Sequence, residues 1–338
     1  MKTYKIAIIG AGAVSNLHAA AIKAVENAEL AAIMDVAEGP ANSFVERHGG
    51  KAYLDLDTMM DTEKPDVVIV AAPTFTHADY VERLAQRGVA VICEKPIEMS
   101  LEKARELAGS AEKHNIVLML GYVLRFFPAY ALAKDMYQRG ELGEVMMAHC
   151  FRSATIPARG GWIIDPKLGK GAIQDMHIHD VDFLEYMFGQ AESVYCHANR
   201  DHTGCFAHAF SAFNFSGGVK GVAECAFVTQ NSYPFTTFMR ICGTKASLEF
   251  RYRAGVADTQ AVDYAVFTIY KSDEAAQVVE FEAINPYARQ LEYFLDCVEN
   301  GKQPEIVPIV DCLRSIAMLE AVHKSAETGK IVEVEKVD

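Results

Sequence analysis

The 338-residue sequence lacks paired cysteines, an excess of basic residues and long uninterrupted apolar runs. Its eight cysteines are scattered without a C-x-x-C spacing, which is typical of reduced thiols in a cytoplasmic protein and not of a disulfide framework. A formal charge of −13 argues against nucleic acid or an anionic membrane as the main partner. The first apolar run, residues 6–14, contains Gly10 and Gly12, so it predicts neither a signal peptide nor a membrane span.

Hydrophobic residues are plentiful by contrast, at 51% of the chain, and no low-complexity tract interrupts them. Such a composition predicts a chain that folds throughout. The length is great for one hydrophobic core and natural for two domains.

The N-terminal segment YKIAIIGAGAVSNLHAAAIKAV indicates a buried strand, a glycine turn and a helix from about Ser15. Gly10 permits the turn, and Gly12 lets backbone N–H groups approach a pyrophosphate at the helix N-terminus. Ser15 stands where a third glycine or alanine is usual. The motif alone is equally compatible with an ordinary strand–helix turn.

A second apolar run, ELAAIMD, ends in Asp35, at the distance from the glycines where an acidic side chain accepts a hydrogen bond from a ribose 2′-hydroxyl. No lysine or arginine follows in VAEGPANSF to hold a 2′-phosphate, which the carboxylate would also repel. The pattern therefore favours NAD over NADP. A solvated strand end is the alternative reading of Asp35.

Apolar strands and amphipathic helices continue to alternate up to about residue 123, which predicts a doubly wound parallel sheet. Ligands of such sheets bind at the carboxyl ends of the strands. These ends carry Gly10–Gly12, Asp35, Ala72–Thr74, Glu94–Pro96 and Gly121–Tyr122. Lys95 is the cation of the set.

With these motifs, the chain resembles the Gfo/Idh/MocA oxidoreductase family, which includes glucose-fructose oxidoreductase and inositol 2-dehydrogenase. The matching stretches are Gly10–Gly12 with His18, APTFTH, CEKP, RFFP, Trp162, GAIQDMHIHDVD, NPYARQLEYFLDCVENGKQP and SAETGKIV. The resemblance implies hydride exchange between NAD(P) and a carbinol carbon of a sugar, cyclitol or related polyol. It also implies a cis Lys95–Pro96 bond and a homodimer or homotetramer formed through a large, mostly antiparallel open sheet with flanking helices.

By position, Lys95, Asp175 and His179 match the family's catalytic residues. Alcohol oxidation requires a base for the hydroxyl proton, which suits histidine, and a nearby ammonium stabilises the developing alkoxide. A solvated lysine at a strand end is the alternative for Lys95. The expected cofactor-binding residues are Gly10, Gly12, Ala13, Val14, Asp35, Ala72, Pro73, Thr74, His77, Glu94 and Lys95.

The stretch GKGAIQDMHIHDVDF holds two histidines and three aspartates, and its apolar spacing predicts a helix that ends at Gly189. Asp175 and His179 are four residues apart and share a face of that helix. His177 points elsewhere and is expected at a domain surface, whereas Asp180 is expected in solvent. A metal held by both histidines would require a strand, so no metal site is predicted.

The pattern changes after residue 123, which divides the chain into a Rossmann domain, 1–123, and an α+β domain, 124–338. Strand-like runs at 192–199, 205–216, 219–229, 235–250, 263–271 and 276–283 predict a mostly antiparallel sheet between helices near 128–139, 171–188, 285–300 and 308–328. His197, His202, Cys205 and His208 have zinc-like spacing, but alternation places them on a sheet surface. Expected substrate-binding residues are Tyr122, Arg125, Arg152, Arg159, Trp162, Asp175, His179 and Tyr287.

The leading functional hypothesis is an NAD-dependent dehydrogenase acting on CH–OH of a sugar or polyol. One alternative is a glycosidase or lyase that retains NAD and oxidises its substrate only transiently. Another is a non-catalytic regulator that senses a dinucleotide, because a fold does not fix a function. The presence of Lys95, Asp175 and His179 together favours an enzyme.

Overall fold

A computed structural model describes residues 2–156, 161–230, 232–255, 262–282 and 284–338. The chain divides into two compact units. The first comprises Met1–Phe126 and Ile284–Cys312, and the second comprises Phe127–Ala283 and Leu313–Asp338. The division predicted from sequence, 1–123 and 124–338, did not foresee that residues 284–312 belong with the N-terminal unit.

Helices and strands alternate through the first unit. In chain order they are β1 (Tyr4–Ile9), α1 (Ala13–Ala24), β2 (Ala28–Met34), α2 (Glu38–His48), β3 (Lys51–Tyr53), α3 (Leu56–Glu63), β4 (Val67–Val70), α4 (His77–Ala85), β5 (Ala90–Cys93), α5 (Leu101–Lys113) and β6 (Leu118–Leu120). All the strands are parallel, in the order β3-β2-β1-β4-β5-β6. This order confirms the predicted Rossmann sheet.

Local sequence explains why these elements form where they do. Every residue of β4 and β5 is buried, as expected for central strands covered on both faces. The side chains of Asp55 and Ser100 cap α3 and α5 by accepting hydrogen bonds from Thr58 N and Lys103 N. Because all six strands are parallel, their carboxyl ends lie along one edge of the sheet.

The second unit is built around a large open sheet. Its elements up to residue 282 are α6 (Pro128–Gln138), β7 (Val145–Thr155), α7 (Ile178–Phe188), β8 (Ser193–Arg200), β9 (Phe206–Asn214), β10 (Lys220–Val228), β11 (Thr236–Gly243), β12 (Ala246–Ala254), β13 (Val262–Lys271) and β14 (Gln277–Val279). A π-helical turn, Ile173–His177, leads directly into α7. Helix α8 (Pro286–Asn300) belongs to the first unit, and α9 (Ile309–Thr328) and β15 (Val332–Glu333) complete the chain.

Nine strands pair in the order β14-β13-β12-β11-β7-β10-β9-β8-β15. Every neighbouring pair is antiparallel except β7 with β10, which confirms the predicted mostly antiparallel sheet. One face buries residues such as Cys150, Met239 and Leu248, whereas the other exposes Met147 and Phe210. Among the described residues, no helix is long and apolar enough to span a bilayer.

Candidate functional site

The turn after β1 has the geometry of a phosphate-binding loop. Gly10 has φ +92°, and a Cβ placed there would lie 2.7 Å from the carbonyl oxygen of Ala71. A Cβ on Gly12 would meet nothing within 4 Å, so the backbone at the start of α1 is open to a ligand. The Ser15 hydroxyl donates to the carbonyl oxygen of Gly10, which accounts for serine at the third position of the motif.

Asp35 closes this loop from the end of β2. Its Oδ2 accepts a hydrogen bond from Ala11 N at 2.7 Å, and its Oδ1 accepts one from Ala37 N at 2.9 Å. A carboxylate oxygen can accept more than one hydrogen bond, so both oxygens keep acceptor capacity for ribose hydroxyls. The loop and Asp35 together fit an NAD molecule, with pyrophosphate at α1 and adenosine ribose at β2.

The loop after β4 contributes Ala72, Pro73 and Thr74 to the same sheet edge. His77 lies beneath this loop, with Nδ1 3.0 Å from the carbonyl oxygen of Pro96 and Nε2 3.0 Å from that of Ala72. Burial lowers the pKa of His77. The imidazole therefore joins the segments that follow β4 and β5, and cofactor binding by His77 stays a prediction.

Lys95 follows β5 at the same edge and is half-buried. Its peptide bond to Pro96 is cis, which confirms the expectation drawn from the resemblance. Glu94, one residue earlier, is buried and hydrogen-bonded to His18. The two charged residues thus lie in different environments, with the ammonium nearer solvent.

Three predicted substrate residues belong to the first unit, and two of them are buried. Tyr122 is buried, and the guanidinium of Arg125 donates to Asp311 Oδ2 at 2.7 Å and to the carbonyl oxygen of Ile306 at 3.0 Å. Arg125 is therefore held inside the unit by an ion pair. Tyr287, at the start of α8, is half-buried and packs edge-on against His18.

In the second unit, the stretch 171–185 has only two residues that are not buried, and these are Asp175 and His179. Asp175 lies in the π-helical turn, and His179 lies in the first turn of α7. Every neighbour on this stretch is enclosed, so a ligand approaching it meets a carboxylate and an imidazole. Both side chains are thus partly accessible, and their acid/base role stays a prediction.

Buried polar contacts hold the π-helical turn on both sides. His177 is fully buried, with Nε2 2.8 Å from Ser211 Oγ on β9, so the prediction that it lies at a domain surface was wrong. Gln174 Oε1 lies 3.2 Å from His323 Nε2 on α9. Burial lowers the pKa of His177 and of His323 to about 3, and both are neutral at physiological pH.

Asp180 and Arg152 form a buried ion pair. Arg152 donates from Nε and Nη2 to the two carboxylate oxygens of Asp180, at 3.1 and 3.0 Å. Burial alone would lower the pKa of Arg152, but the Asp180 charge outweighs it and raises that pKa. The prediction of a solvated Asp180 was wrong, because the helix is covered on this side too. The guanidinium of Arg152, a predicted substrate-binding residue, is held by this ion pair.

The remaining predicted residues are dispersed. Trp162 is half-buried in a turn, and Arg159 lies outside the described residues. His197, His202 and His208 are exposed, as predicted for a sheet surface, whereas Cys205 is buried, so that prediction was wrong for the cysteine. His208 Nε2 lies 3.0 Å from Glu224 Oε1 on the neighbouring strand. Within the described ranges, no group of three or more His, Cys, Asp or Glu side chains is arranged to hold a metal ion.

The sequence predicted no role for His18, which contacts Glu94, or for Ser211 and His323, which contact His177 and Gln174 beside Asp175. The position of His18 on the helix that follows the glycine turn was the one signal available for it. Ser211 and His323 are far from their partners in sequence, and no local pattern identifies them.

Comparison with known proteins identifies both parts of the chain. Residues 4–122 match the model of the oxidoreductase family with an NAD-binding Rossmann fold, and residues 130–249 match the GFO/IDH/MocA C-terminal domain. D-apiose dehydrogenase of Paraburkholderia graminis is 26% identical, covering 100% of this chain and 92% of its own. The NAD(+)-dependent scyllo-inositol 2-dehydrogenase of Bacillus subtilis is 25% identical, covering 98% and 96%.

Among solved structures, aldose-aldose oxidoreductase from Caulobacter crescentus, complexed with glycerol, superposes with a TM-score of 0.85 at 21% identity. The superposition covers 98% of this chain and 100% of that one, which shows a shared fold over both units. The glycine loop and the parallel six-stranded sheet agree with the match to an NAD-binding Rossmann fold. The chain belongs to the GFO/IDH/MocA oxidoreductase family.

Proposed function

We propose that the protein is an NAD-dependent dehydrogenase that transfers a hydride between the nicotinamide and a carbinol carbon of a sugar, cyclitol or related polyol. The full-length similarity to D-apiose dehydrogenase and scyllo-inositol 2-dehydrogenase supports this substrate class. The observation that carries the proposal is the position of Lys95. It follows β5 on the sheet edge that also carries Gly10, Gly12 and Asp35.

The roles of the side chains follow from alcohol chemistry. NAD, when bound, supplies the hydride acceptor. Lys95 donates a hydrogen bond to the reacting oxygen and stabilises the alkoxide that develops as hydride leaves. His179 accepts the hydroxyl proton, and Asp175 orients the imidazole or a substrate hydroxyl. In the reductive direction, His179 returns the proton to the same oxygen.

A panel of sugars, sugar acids, glycosides and cyclitols, each offered with NAD and with NADP, tests the activity through the absorbance of NADH. Lys95→Met keeps the length of the side chain but removes its charge. We expect it to lower kcat by roughly 100- to 1000-fold with NAD affinity unchanged, since it removes one donor to the developing alkoxide. Lys103→Met, an exposed change on α5, is the matched control.

Two other outcomes would replace the proposal. Substrate loss without net NADH formation, together with cofactor that survives dialysis, would indicate a glycosidase or lyase that oxidises its substrate transiently. NAD binding with no turnover of any compound would indicate a dinucleotide sensor.

The cellular setting is part of the same proposal. The eight cysteines are free thiols, which supports a cytoplasmic location. The open face of the nine-stranded sheet exposes Met147, Phe210 and Tyr270, which supports a homodimer or homotetramer formed through that face.

A further inference from the structure

Glu94 connects helix α1 to the backbone that carries Lys95. Its carboxylate is buried, and each oxygen has its own partner. Oε1 accepts a hydrogen bond from His18 Nε2 at 2.7 Å, and Oε2 accepts one from the backbone N–H of Lys95 at 3.2 Å. Because a carboxylate is planar and rigid, fixing one oxygen at His18 also fixes the oxygen that holds the Lys95 amide.

The space for this carboxylate exists because residue 121 is glycine. A Cβ at Gly121 would lie 2.9 Å from the carboxyl carbon and both oxygens of Glu94. The N–H of Gly121 donates to the carbonyl oxygen of Cys93 at 2.7 Å, so β6 is held against the end of β5 at this point. The backbone thus leaves the Glu94 side chain a closely fitted position.

Tyr287 lies in residues 284–312, the C-terminal part of the first unit, and contacts His18. The two ring centroids are 5.1 Å apart, with the ring planes at 85°. Asn285 caps this end of α8 by accepting hydrogen bonds from the N–H groups of Tyr287 and Ala288, so the ring is presented from an ordered helix start. His18 is therefore held between Tyr287 and Glu94.

The charge of Glu94 is maintained by its neighbours. Burial alone would raise the pKa of Glu94, but the hydrogen bond and charge of His18, together with the Lys95 ammonium, outweigh burial and lower that pKa. The side chain is thus a carboxylate at neutral pH and accepts both hydrogen bonds fully.

We propose that His18 and Glu94 are positioning residues that hold Lys95 in its reactive orientation, with Tyr287 keeping the His18 ring in place. This inference rests on the proposed function, because that function gives Lys95 its role at the alkoxide. Both oxygens of Glu94 are engaged, by His18 and by the Lys95 amide, so we assign this residue a role through Lys95 in place of the cofactor contact predicted from the sequence. The effect of His18 and Glu94 is therefore on the chemical step and not on the affinity for NAD.

Two replacements of His18 separate positioning from packing. The Nε2 of glutamine in His18→Gln can donate to Glu94 from nearly the same place, whereas His18→Leu fills space without a donor and leaves the buried carboxylate underbonded. His114→Leu is the matched control, because it removes another histidine of the same unit, a half-buried one. His114 follows the last residue of α5 and lies beside Glu82 of α4.

The first measurement is hydrogen exchange at the Lys95 backbone amide, which reports the Glu94 contact directly and needs no substrate. Loss of a hydrogen bond to a charged group predicts exchange roughly 10- to 100-fold faster in His18→Leu. His18→Gln and His114→Leu are expected to stay within about threefold of the wild type. Equal exchange at Lys95 in His18→Leu and the wild type would overturn the proposal.

The second measurement is steady-state kinetics with the best compound from the substrate panel. We expect kcat of His18→Leu to fall about tenfold or more while KM for NAD stays within about twofold, with most of kcat restored in His18→Gln. An unchanged kcat alongside faster Lys95 exchange would also overturn the proposal. If the wild type turned over no compound, the proposed function would fail, yet the exchange rates would still decide whether His18 and Glu94 hold Lys95.

Discussion

We expect the carboxylate of Asp35, at the end of β2, to distinguish NAD from NADP. In Asp35→Asn, one charged acceptor for the ribose hydroxyl is lost, which predicts about 10- to 100-fold weaker binding of NADH. NADPH should lose less affinity, because the amide does not repel a 2′-phosphate. Titration of both cofactors by nicotinamide fluorescence measures the difference. Asp61→Asn, an exposed carboxylate that binds Arg87, is the control, and unchanged NADH affinity in Asp35→Asn would contradict the prediction.

Residues at the ends of parallel strands were predictable, whereas residues on the helix 172–188 were only half predictable. Asp35 and Lys95 follow continuous apolar strands, and the sheet edge then fixes where their side chains begin. The helix is enclosed by β9 on one side and α9 on another, where Ser211 contacts His177 and Ser315 donates to Asp182. The spacing of apolar residues indicates one buried face of a helix but does not reveal that a second face is also covered. His177 and Asp180 were therefore predicted in the wrong environment.

Among the elements, the strand β7 was missed although it lies inside the large sheet. It pairs with β10 in parallel and with β11 in antiparallel fashion. Its sequence, VMMAHCFRSAT, alternates too weakly to predict a strand, and its partners are about 70 to 100 residues away along the chain. The strands that are long hydrophobic runs could be predicted because their composition alone indicates burial. Strand β7 has no such run, and its conformation depends on pairing with β10 and β11.

The start and end of the helix 172–188 are marked by two glycines that serve as a matched pair. Gly171 and Gly189 have φ +82° and +79°. A Cβ at Gly171 would lie 2.5 Å from the carbonyl oxygen of Phe206, whereas one at Gly189 would meet nothing within 4 Å. Both alanine variants carry the cost of a positive φ, about 1–3 kcal/mol, and only Gly171→Ala adds a backbone clash.

We therefore expect Gly171→Ala to lower the free energy of unfolding by at least about 2 kcal/mol more than Gly189→Ala does. The clash would also displace the π-helical turn that carries Asp175, so activity should fall in Gly171→Ala and be retained in Gly189→Ala. Urea denaturation and kcat/KM measure the two effects. Equal losses of stability in both variants would show that the contact with Phe206 does not hold the helix start.

For the whole molecule, the return of residues 284–312 to the first unit is the feature that no local pattern revealed. Helix α8 was predicted within two residues of its bounds, yet its unit depends on contacts with α1, such as that of Tyr287 with His18. Element type is encoded locally by period and caps, whereas unit membership is encoded by contacts between distant residues. The fold class and a boundary within three residues of Phe126 were therefore accessible from sequence, whereas the return of residues 284–312 to the first unit was not.

The response of the second unit to acid follows from two neutral histidines, of which His177 is buried and His323 is half-buried. His177 and His323 have pKa values of about 3 in the folded protein, against an ordinary value of 6.5. Above pH 6.5 they are neutral in both the folded and the unfolded chain, so they do not affect stability. As the pH falls from 6.5 towards 3, only the unfolded chain binds protons there, and each histidine lowers the free energy of unfolding by about 1.4 kcal/mol per pH unit.

The double variant His177→Gln, His323→Gln tests this account, since glutamine offers hydrogen-bonding groups to Ser211 and Gln174 without titrating. We expect the fall in stability between pH 6.5 and 5 to become shallower by about 2–3 kcal/mol per pH unit. His202→Gln, a change at an exposed histidine, should leave the slope as it is. Chemical denaturation at a series of pH values gives the slopes, and a slope equal to that of the wild type would show that these histidines are protonated in the folded chain. The double variant and the wild type contain the same carboxylates. Protonation of those carboxylates at lower pH therefore contributes equally to both slopes, and the difference between the slopes reports the two histidines.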